Sequence, residues 1–323
     1  MRALLALSGS LLVAALAAPA AFGQLLPVEP ESPNAEAIRD SYVFVSIFVV
    51  AIFVLVEGLL IAFIVRYRRR NRERFEDGVQ IHGATKLELA WTAFPVVILF
   101  AIGAFVLAQL PEIRDPPQAR AGDELEIRVS GRQFHWQYEY PNGVVAIDRL
   151  RAPAGIPVRL VVTAPDEDVI HSWWIPALGG KIDAIPGRVN ETWLLAERPG
   201  TYPGQCAELC GVQHAGMLAV AEVMEEEAFD TWLSTREAEQ SEVSMDLGEE
   251  TWEGVCAKCH GLGGEGGVAP RSIANSPLLA DAETVERIVR NGIRTMPAVG
   301  AGWSDEHVRA LTAYLQENPP GGS

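Results

Sequence analysis

Hydrophobic and polar positions fall into distinct regimes along the chain. Residues 42–65 and 89–110 are almost uninterrupted apolar runs. At about 1.5 Å of rise per residue, either run is long enough as a helix to cross a hydrocarbon core of about 30 Å. Both are therefore predicted as membrane helices. Beyond Pro111 the pattern changes to short segments that alternate with period two, at 124–130, 134–140, 158–163 and 191–196, separated by turns such as Pro141-Asn142-Gly143. Alternation of that kind predicts half-buried strands in a small antiparallel sandwich or barrel. Residues 222–250 are strongly acidic with Arg236 the only cation, which predicts a solvated helix or linker. The last stretch opens and closes on helical patterns around a glycine-rich segment at 261–267. A unit that small needs a large group to fill its core.

The flanks of the apolar runs add direction. Residues 1–23 carry Arg2, a short apolar run and small residues ending Ala21-Phe22-Gly23, the pattern of a cleaved secretory signal, so the mature chain is expected to begin near Gln24. Arg66, Arg68, Arg69, Arg70, Arg72 and Arg74 lie between the two helices, while the outer flanks carry few cations. The positive-inside rule puts that loop in the cytoplasm and both ends of the mature chain outside. The expected division is a signal (1–23), an N-terminal segment with the helical hairpin (24–111), a β domain (112–224), an acidic linker (225–244) and a small helical domain (245–323).

Composition narrows the partners. The 323 residues include 26 Lys and Arg against 42 Asp and Glu, a net charge of −16, which argues against nucleic acid as a partner. A hydrophobic fraction of 49% fits a membrane part. The four cysteines form two close pairs, too few for a disulfide-built scaffold of this size.

Those two pairs carry the chemistry. Cys256-Ala257-Lys258-Cys259-His260 is the C-x-x-C-H sequence that attaches a c-type haem: two thiols bond the vinyl groups and the adjacent imidazole reaches the iron. Met296, in Thr295-Met296-Pro297, supplies a thioether for the other face, and a Met/His pair raises the potential into an electron-transfer range. An exported disulfide and a core methionine are the competing readings. The second constellation is His171 with Cys206-Ala207-Glu208-Leu209-Cys210-Gly211-Val212-Gln213-His214-Ala215-Gly216-Met217. Its soft donors suit copper and not calcium or magnesium. Two thiolates can bridge two copper ions, with His171 and His214 as terminal ligands, Met217 weakly on one ion and the Glu208 backbone carbonyl on the other. A Cys2His2 zinc site or a disulfide loop competes, and the thioether favours copper.

With these residues in view, the chain resembles subunit II of haem–copper cytochrome c oxidases, in the caa3-type form with a fused C-terminal cytochrome c domain. The resemblance covers the helical hairpin, Lys86-Leu87-Glu88-Leu89-Ala90-Trp91-Thr92, the aromatic run from Phe134 to Tyr140, Asp168-Val169-Ile170-His171-Ser172-Trp173, the segment from Lys181 to Asn190 and the whole metal loop. It implies a two-helix transmembrane hairpin, a cupredoxin-like β-barrel domain holding the mixed-valence dinuclear copper centre CuA, and an all-α cytochrome c domain with one covalently bound haem c. It further implies a magnesium or manganese ion shared with subunit I through Glu208, Trp136 as an electron relay, and Glu88 at the mouth of the K proton pathway. The implied partners are subunit I with its haem a and haem–CuB site, subunit III, membrane lipid and an external cytochrome c. The implied location is the bacterial inner membrane, with both redox domains on the outer face. Many members that use free cytochrome c have tryptophan where this chain has Phe134. A membrane-anchored copper-delivery protein with a haem redox sensor is the alternative.

Other polar residues carry less. Glu57 lies inside the first membrane helix, where a carboxylate faces protein or water. Glu88 opens the second helix, where it also suits the helix dipole. His82, His135 and His307 have no ligand-like neighbours in sequence and are read as surface or packing residues.

Overall fold

The computed structural model describes residues 27–68, 80, 82–117, 125–269 and 271–321. The expected signal segment and Arg69, Arg70, Arg72 and Arg74 lie outside the described residues. The two long helices fall in one compact unit, and the chain from Ile113 onward forms the body of another.

In the first unit, α1 (Pro33–Tyr67) and α2 (Thr85–Arg114) are 35 and 30 residues long. Both extend beyond the apolar runs because hydropathy marks only the lipid-facing stretch, whereas backbone hydrogen bonding continues into polar sequence. Pro111 lies inside α2 and does not end it. Ile47, Phe53, Ile64, Leu99 and Phe100 are all exposed along these helices, a surface that suits lipid.

The second unit begins with two five-stranded sheets. One has the order β3-β2-β1-β5-β8, built from Val145–Ile147, His135–Glu139, Leu125–Arg132, Val158–Thr163 and Asn190–Leu194. The other has the order β4-β10-β9-β6-β7, built from Arg149–Pro153, Leu218–Met224, Gly200–Cys206, His171–Trp174 and Ile182–Ala184. The alternating segments predicted from sequence became β1, β2, β5 and β8. The assembly is not wholly antiparallel, since β1 pairs with β5 and β4 with β10 in parallel. Alternation reports which face is buried and says nothing of strand direction. Ile127, Val129, Tyr138, Leu160, Val162 and Leu194 fill the space between the sheets. Trp173 Nε1 donates to the Tyr138 hydroxyl at 3.0 Å, which satisfies both polar tips in this core.

The acidic segment is a helix, α3 (Glu226–Ser241), and one face of it is packed against the β domain. Phe229 and Trp232 lie 6.2 and 5.1 Å from the Tyr140 ring. Arg236, 3% exposed, pairs with Glu250 at 2.8 Å and Asp246 at 3.2 Å. Gln240 donates to the Val145 carbonyl at 2.7 Å and accepts from its N–H at 2.9 Å. The segment is therefore a docked spacer, and its solvated face is only the acidic one.

The chain then forms α4 (Met245–Thr251), a π-helical turn (Trp252–Cys256), α5 (Ala257–His260), α6 (Ala282–Asn291) and α7 (Asp305–Glu317). Helices α4 and α7 cross closely because Gly248 has no side chain: a Cβ there would run into the Ala310 carbonyl oxygen and lie 2.6 Å from Tyr314 Cβ. Ile147 of β3 belongs to the same apolar cluster as Leu247, Trp252, Val285 and Leu311, so the helical domain shares its core with the edge of the β domain.

Buried in that helical core, His307 donates to or accepts from Thr251 Oγ1 at 2.7 Å and stacks on Trp303 at 4.2 Å. Burial, with a smaller push from Arg132, lowers its pKa from 6.5 to about 3. Between those two values the unfolded chain holds a proton that the native chain does not, so stability falls as the pH is lowered. The slope from this one group approaches 1.4 kcal/mol per pH unit, as an order of magnitude. Denaturant titrations from pH 7 to pH 4 are expected to show that decline, and His307→Gln is expected to flatten it relative to the parent.

Candidate metal centre and haem cavity

The metal loop is closed at its neck by strand pairing. Strand β9 ends on Cys206, whose N–H donates to the Met217 carbonyl at 2.9 Å just before β10 begins. Strand β6 lies beside β9 with Trp173 opposite Cys206, which brings His171 to the loop. The Ala207 N–H donates to the Ser172 carbonyl at 2.8 Å and fixes the first turn.

All six sequence candidates meet there. The Cys206 and Cys210 sulfurs are 3.9 Å apart, and Cys206 Sγ is 3.3 Å from the Glu208 carbonyl oxygen. Cys210 Sγ is 3.6 Å from His214 Nδ1 and 3.8 Å from Met217 Sδ. A His171 ring nitrogen and both thiols lie within 4.8 Å of one another. His171, Cys206, Cys210 and Met217 are buried, His214 is half-buried, and the Glu208 residue is exposed. Both cysteines are free thiols, so the structure contains no disulfide loop here.

Electrostatics at this cluster favour a cation. Asp168 Oδ1 accepts from His171 Nε2 at 3.0 Å, and the buried Nδ1 has no partner. Burial disfavours the Cys206 thiolate, but the neighbouring His171 and the Ser172 backbone outweigh it and lower that pKa. Burial and then the neighbouring Cys206 charge push Cys210 up. One thiolate therefore forms readily and the second only against repulsion, unless positive charge enters between them. The orphaned imidazole nitrogen, the paired sulfurs and the thioether fit a copper site.

The second site is a cavity of about 460 Å³ in the helical domain, within the range of cofactor pockets. Cys256, Cys259 and His260 line it, as do Thr295, Met296 and Pro297. The Met296 loop is held by hydrogen bonds in both directions between Ile293 and Met296, at 3.1 and 2.9 Å. Gly292, at φ 71°, permits it, because a Cβ there would lie 2.6 Å from the Met296 carbonyl oxygen. His260 has a buried ring nitrogen with no partner. Two thiols, an imidazole and a thioether around one cavity fit a covalently attached haem. Gln133, Phe134 and Val212 of the β domain complete the wall.

The remaining sequence candidates divide. Trp136 is fully buried, with its ring edge-on to His171 at 6.0 Å. Phe134 lines the haem cavity. Glu88 Oε1 accepts from the Ala84 N–H at 3.1 Å, a helix-start contact. Glu57 lies within α1. His82 is exposed, whereas His135 and His307 are buried packing residues. Sequence reasoning missed Asp168, Gln133, Gln213 and Lys258. Only Asp168 left a local signal, a carboxylate three residues before a ligand-type histidine.

Comparison with known proteins gives three family matches. Residues 21–108 match the cytochrome c oxidase subunit II transmembrane domain, residues 143–224 its periplasmic domain, and residues 243–315 the cbb3-type cytochrome c oxidase subunit III. Cytochrome c oxidase subunit 2 of Alkalihalophilus pseudofirmus is 33% identical over 316 residues, covering 90% of this chain and 90% of the relative. The Cereibacter sphaeroides subunit 2 is 34% identical over 255 residues, covering 67% of this chain and 81% of the relative. The solved periplasmic domain of cytochrome oxidase subunit II from Bradyrhizobium japonicum is 36% identical, covers 38% of this chain and 97% of its own, and has a TM-score of 0.35.

Proposed function

Because the chain belongs to the cytochrome c oxidase subunit II family and carries a cytochrome c domain at its C-terminal end, we propose that it relays electrons in a haem–copper oxidase from an external donor through haem c to a dinuclear CuA centre, and on to subunit I. Haem c and a copper pair, when bound, each accept and release one electron with little change of geometry. The proposed haem ligands are Cys256, Cys259, His260 and Met296. The proposed copper ligands are His171, Cys206, Cys210, His214, Met217 and the Glu208 carbonyl.

The residues' own work is to hold and orient. Asp168 accepts the hydrogen bond from His171 Nε2 and so fixes the tautomer that leaves Nδ1 with a lone pair for a metal. The β9/β10 neck holds the loop closed and keeps Cys206, Cys210 and Met217 buried, which limits rearrangement between oxidation states. Gly292 lets the Met296 loop turn back toward the cavity. The exposed Glu208 carboxylate is free to reach a magnesium or manganese ion shared with subunit I. Trp136 against His171 is the proposed relay toward the copper site, and Glu88, at the start of α2, the proposed mouth of a proton path. In this reading the two long helices anchor the chain in the cell membrane beside subunits I and III, with both redox domains outside.

The observation that carries the proposal is the meeting of two thiols, two imidazoles and a thioether between the Cys206–Met217 loop and β6, adjoining a cavity lined by C-x-x-C-H and Met296. Metal and haem analysis of the purified oxidase tests it. Two coppers beyond the one belonging to subunit I are expected, with one haem that stays on this chain after acid–organic extraction. A zinc in place of that copper pair, or no haem left on this chain after extraction, would overturn the ligand assignment.

A further inference from the structure

The copper loop and the haem-attachment motif hold one another by hydrogen bonds that no single motif announces. Gln213 immediately precedes His214 in the loop, and its Nε2 donates to the main-chain carbonyl of Lys258, inside Cys256-Ala257-Lys258-Cys259-His260. Lys258 reaches back the other way: its Nζ donates to the Phe134 carbonyl at 2.8 Å and pairs with Asp148 Oδ2 at 2.5 Å. The second Asp148 oxygen accepts from the Trp136 N–H at 2.9 Å. Gln133 Nε2 donates to the Cys210 carbonyl at 2.5 Å. Both charged ends of the Lys258–Asp148 pair are largely covered, with 15% and 19% of their side-chain surface exposed, so the clasp is built into the interface and is not a surface contact. The fit is close elsewhere too: a Cβ on Gly211 would lie 2.9 Å from Gln133 Nε2 and 3.0 Å from Phe134 Cε1.

The connectivity has a direct consequence. The Lys258 carbonyl carbon is bonded to the nitrogen of Cys259, and Gln213 is bonded to His214. Between the thiol that would carry haem and the imidazole that would hold copper, the path is covalent except for one hydrogen bond. We propose that Gln213 is a positioning residue for electron transfer, holding the Lys258 carbonyl so that this bridge couples haem c to the copper centre. The inference rests on the relay reading above. The step moves one electron: ferrous haem is oxidised, the oxidised copper pair is reduced by one, and no bond or proton changes place. Lys258 and Asp148 set the separation of the two surfaces, and Gln213 supplies the link across them.

The test uses assembled oxidase carrying Gln213→Met, which keeps the length of the side chain and removes the donor, and Gln213→Lys, which restores a donor. Haem c is reduced by a flash-excited ruthenium complex in the presence of a sacrificial electron donor, and its reoxidation by copper is timed. Gln213→Met is expected to slow that phase severalfold, because a hydrogen-bonded bridge is replaced by a weaker through-space gap. Haem and copper spectra and midpoint potentials should be unchanged, and Gln213→Lys should recover most of the rate. A parental rate in Gln213→Met overturns the inference. Equal slowing in both variants, or an altered copper spectrum in Gln213→Met, also overturns it, since either assigns the loss to packing or to His214. If the parent itself shows no copper-pair signal or no haem-to-copper phase, it is the relay reading that fails.

Discussion

Cys210→Ser is expected to abolish the dinuclear copper signal of this chain while leaving its haem spectrum intact. The sulfur removed lies within 3.9 Å of Cys206 Sγ, His214 Nδ1 and Met217 Sδ alike, so it joins three of the other candidate ligands. A serine hydroxyl is a hard, weakly acidic donor that cannot bridge two coppers as a thiolate does. The backbone around it does not depend on the sulfur. The neck from Cys206 to Met217 is main-chain, and Gln133 holds the carbonyl of residue 210 and not its side chain. The loop should therefore keep its course, with one copper or none bound by His171, Cys206, His214 and Met217. Electron paramagnetic resonance and metal analysis read the result. Two coppers with an unchanged spin signal in Cys210→Ser would remove Cys210 from the ligand set.

The parts of this molecule legible in the sequence were those whose determinants are local. The candidate ligands of the loop occur within one short run, and C-x-x-C-H within one helical turn, so spacing alone picked out side chains that the fold brings together. The apolar runs became α1 and α2, and four alternating segments became strands. Strand β9 was not legible, because Gly200, Pro203 and Gly204 break its alternation. Gly204 is there for packing: a Cβ would lie 2.5 Å from the Trp174 carbonyl oxygen of β6. The acidic segment misled for a similar reason. Its charge is dominated by the solvent face, while Phe229, Trp232 and Leu233, at helical spacing, form the face that docks. Gln133, Lys258 and Gln213 gave no signal, since each acts on a partner remote in sequence that only the folded chain brings near.

The docked spacer also alters how electron delivery should be viewed. A flexible acidic linker would let the haem domain search for the copper domain at an effective concentration in the millimolar range, as an order of magnitude. Here α3 is packed on the β domain, Ile147 lies in the helical core, and Phe134 is part of the haem cavity wall. The C-terminal helical domain is thus already seated beside the candidate copper loop and against Phe134, where the family resemblance places tryptophan in many members that use a free cytochrome. In the proposed relay an external carrier would deliver to the haem domain, and the excess of acidic residues in that domain would make a basic carrier and a salt-sensitive first encounter the expected case.

The central claim is the order of the relay, and one measurement tests it most directly. Intact oxidase is mixed in a stopped-flow instrument with increasing concentrations of reduced external cytochrome, and haem c and copper bands are followed in the same mixing event. The account predicts that haem c is reduced first, at a rate proportional to donor concentration and falling with salt, and that copper follows in a phase independent of both. Copper reduced ahead of haem c, at a rate that itself rises with donor concentration, would contradict it.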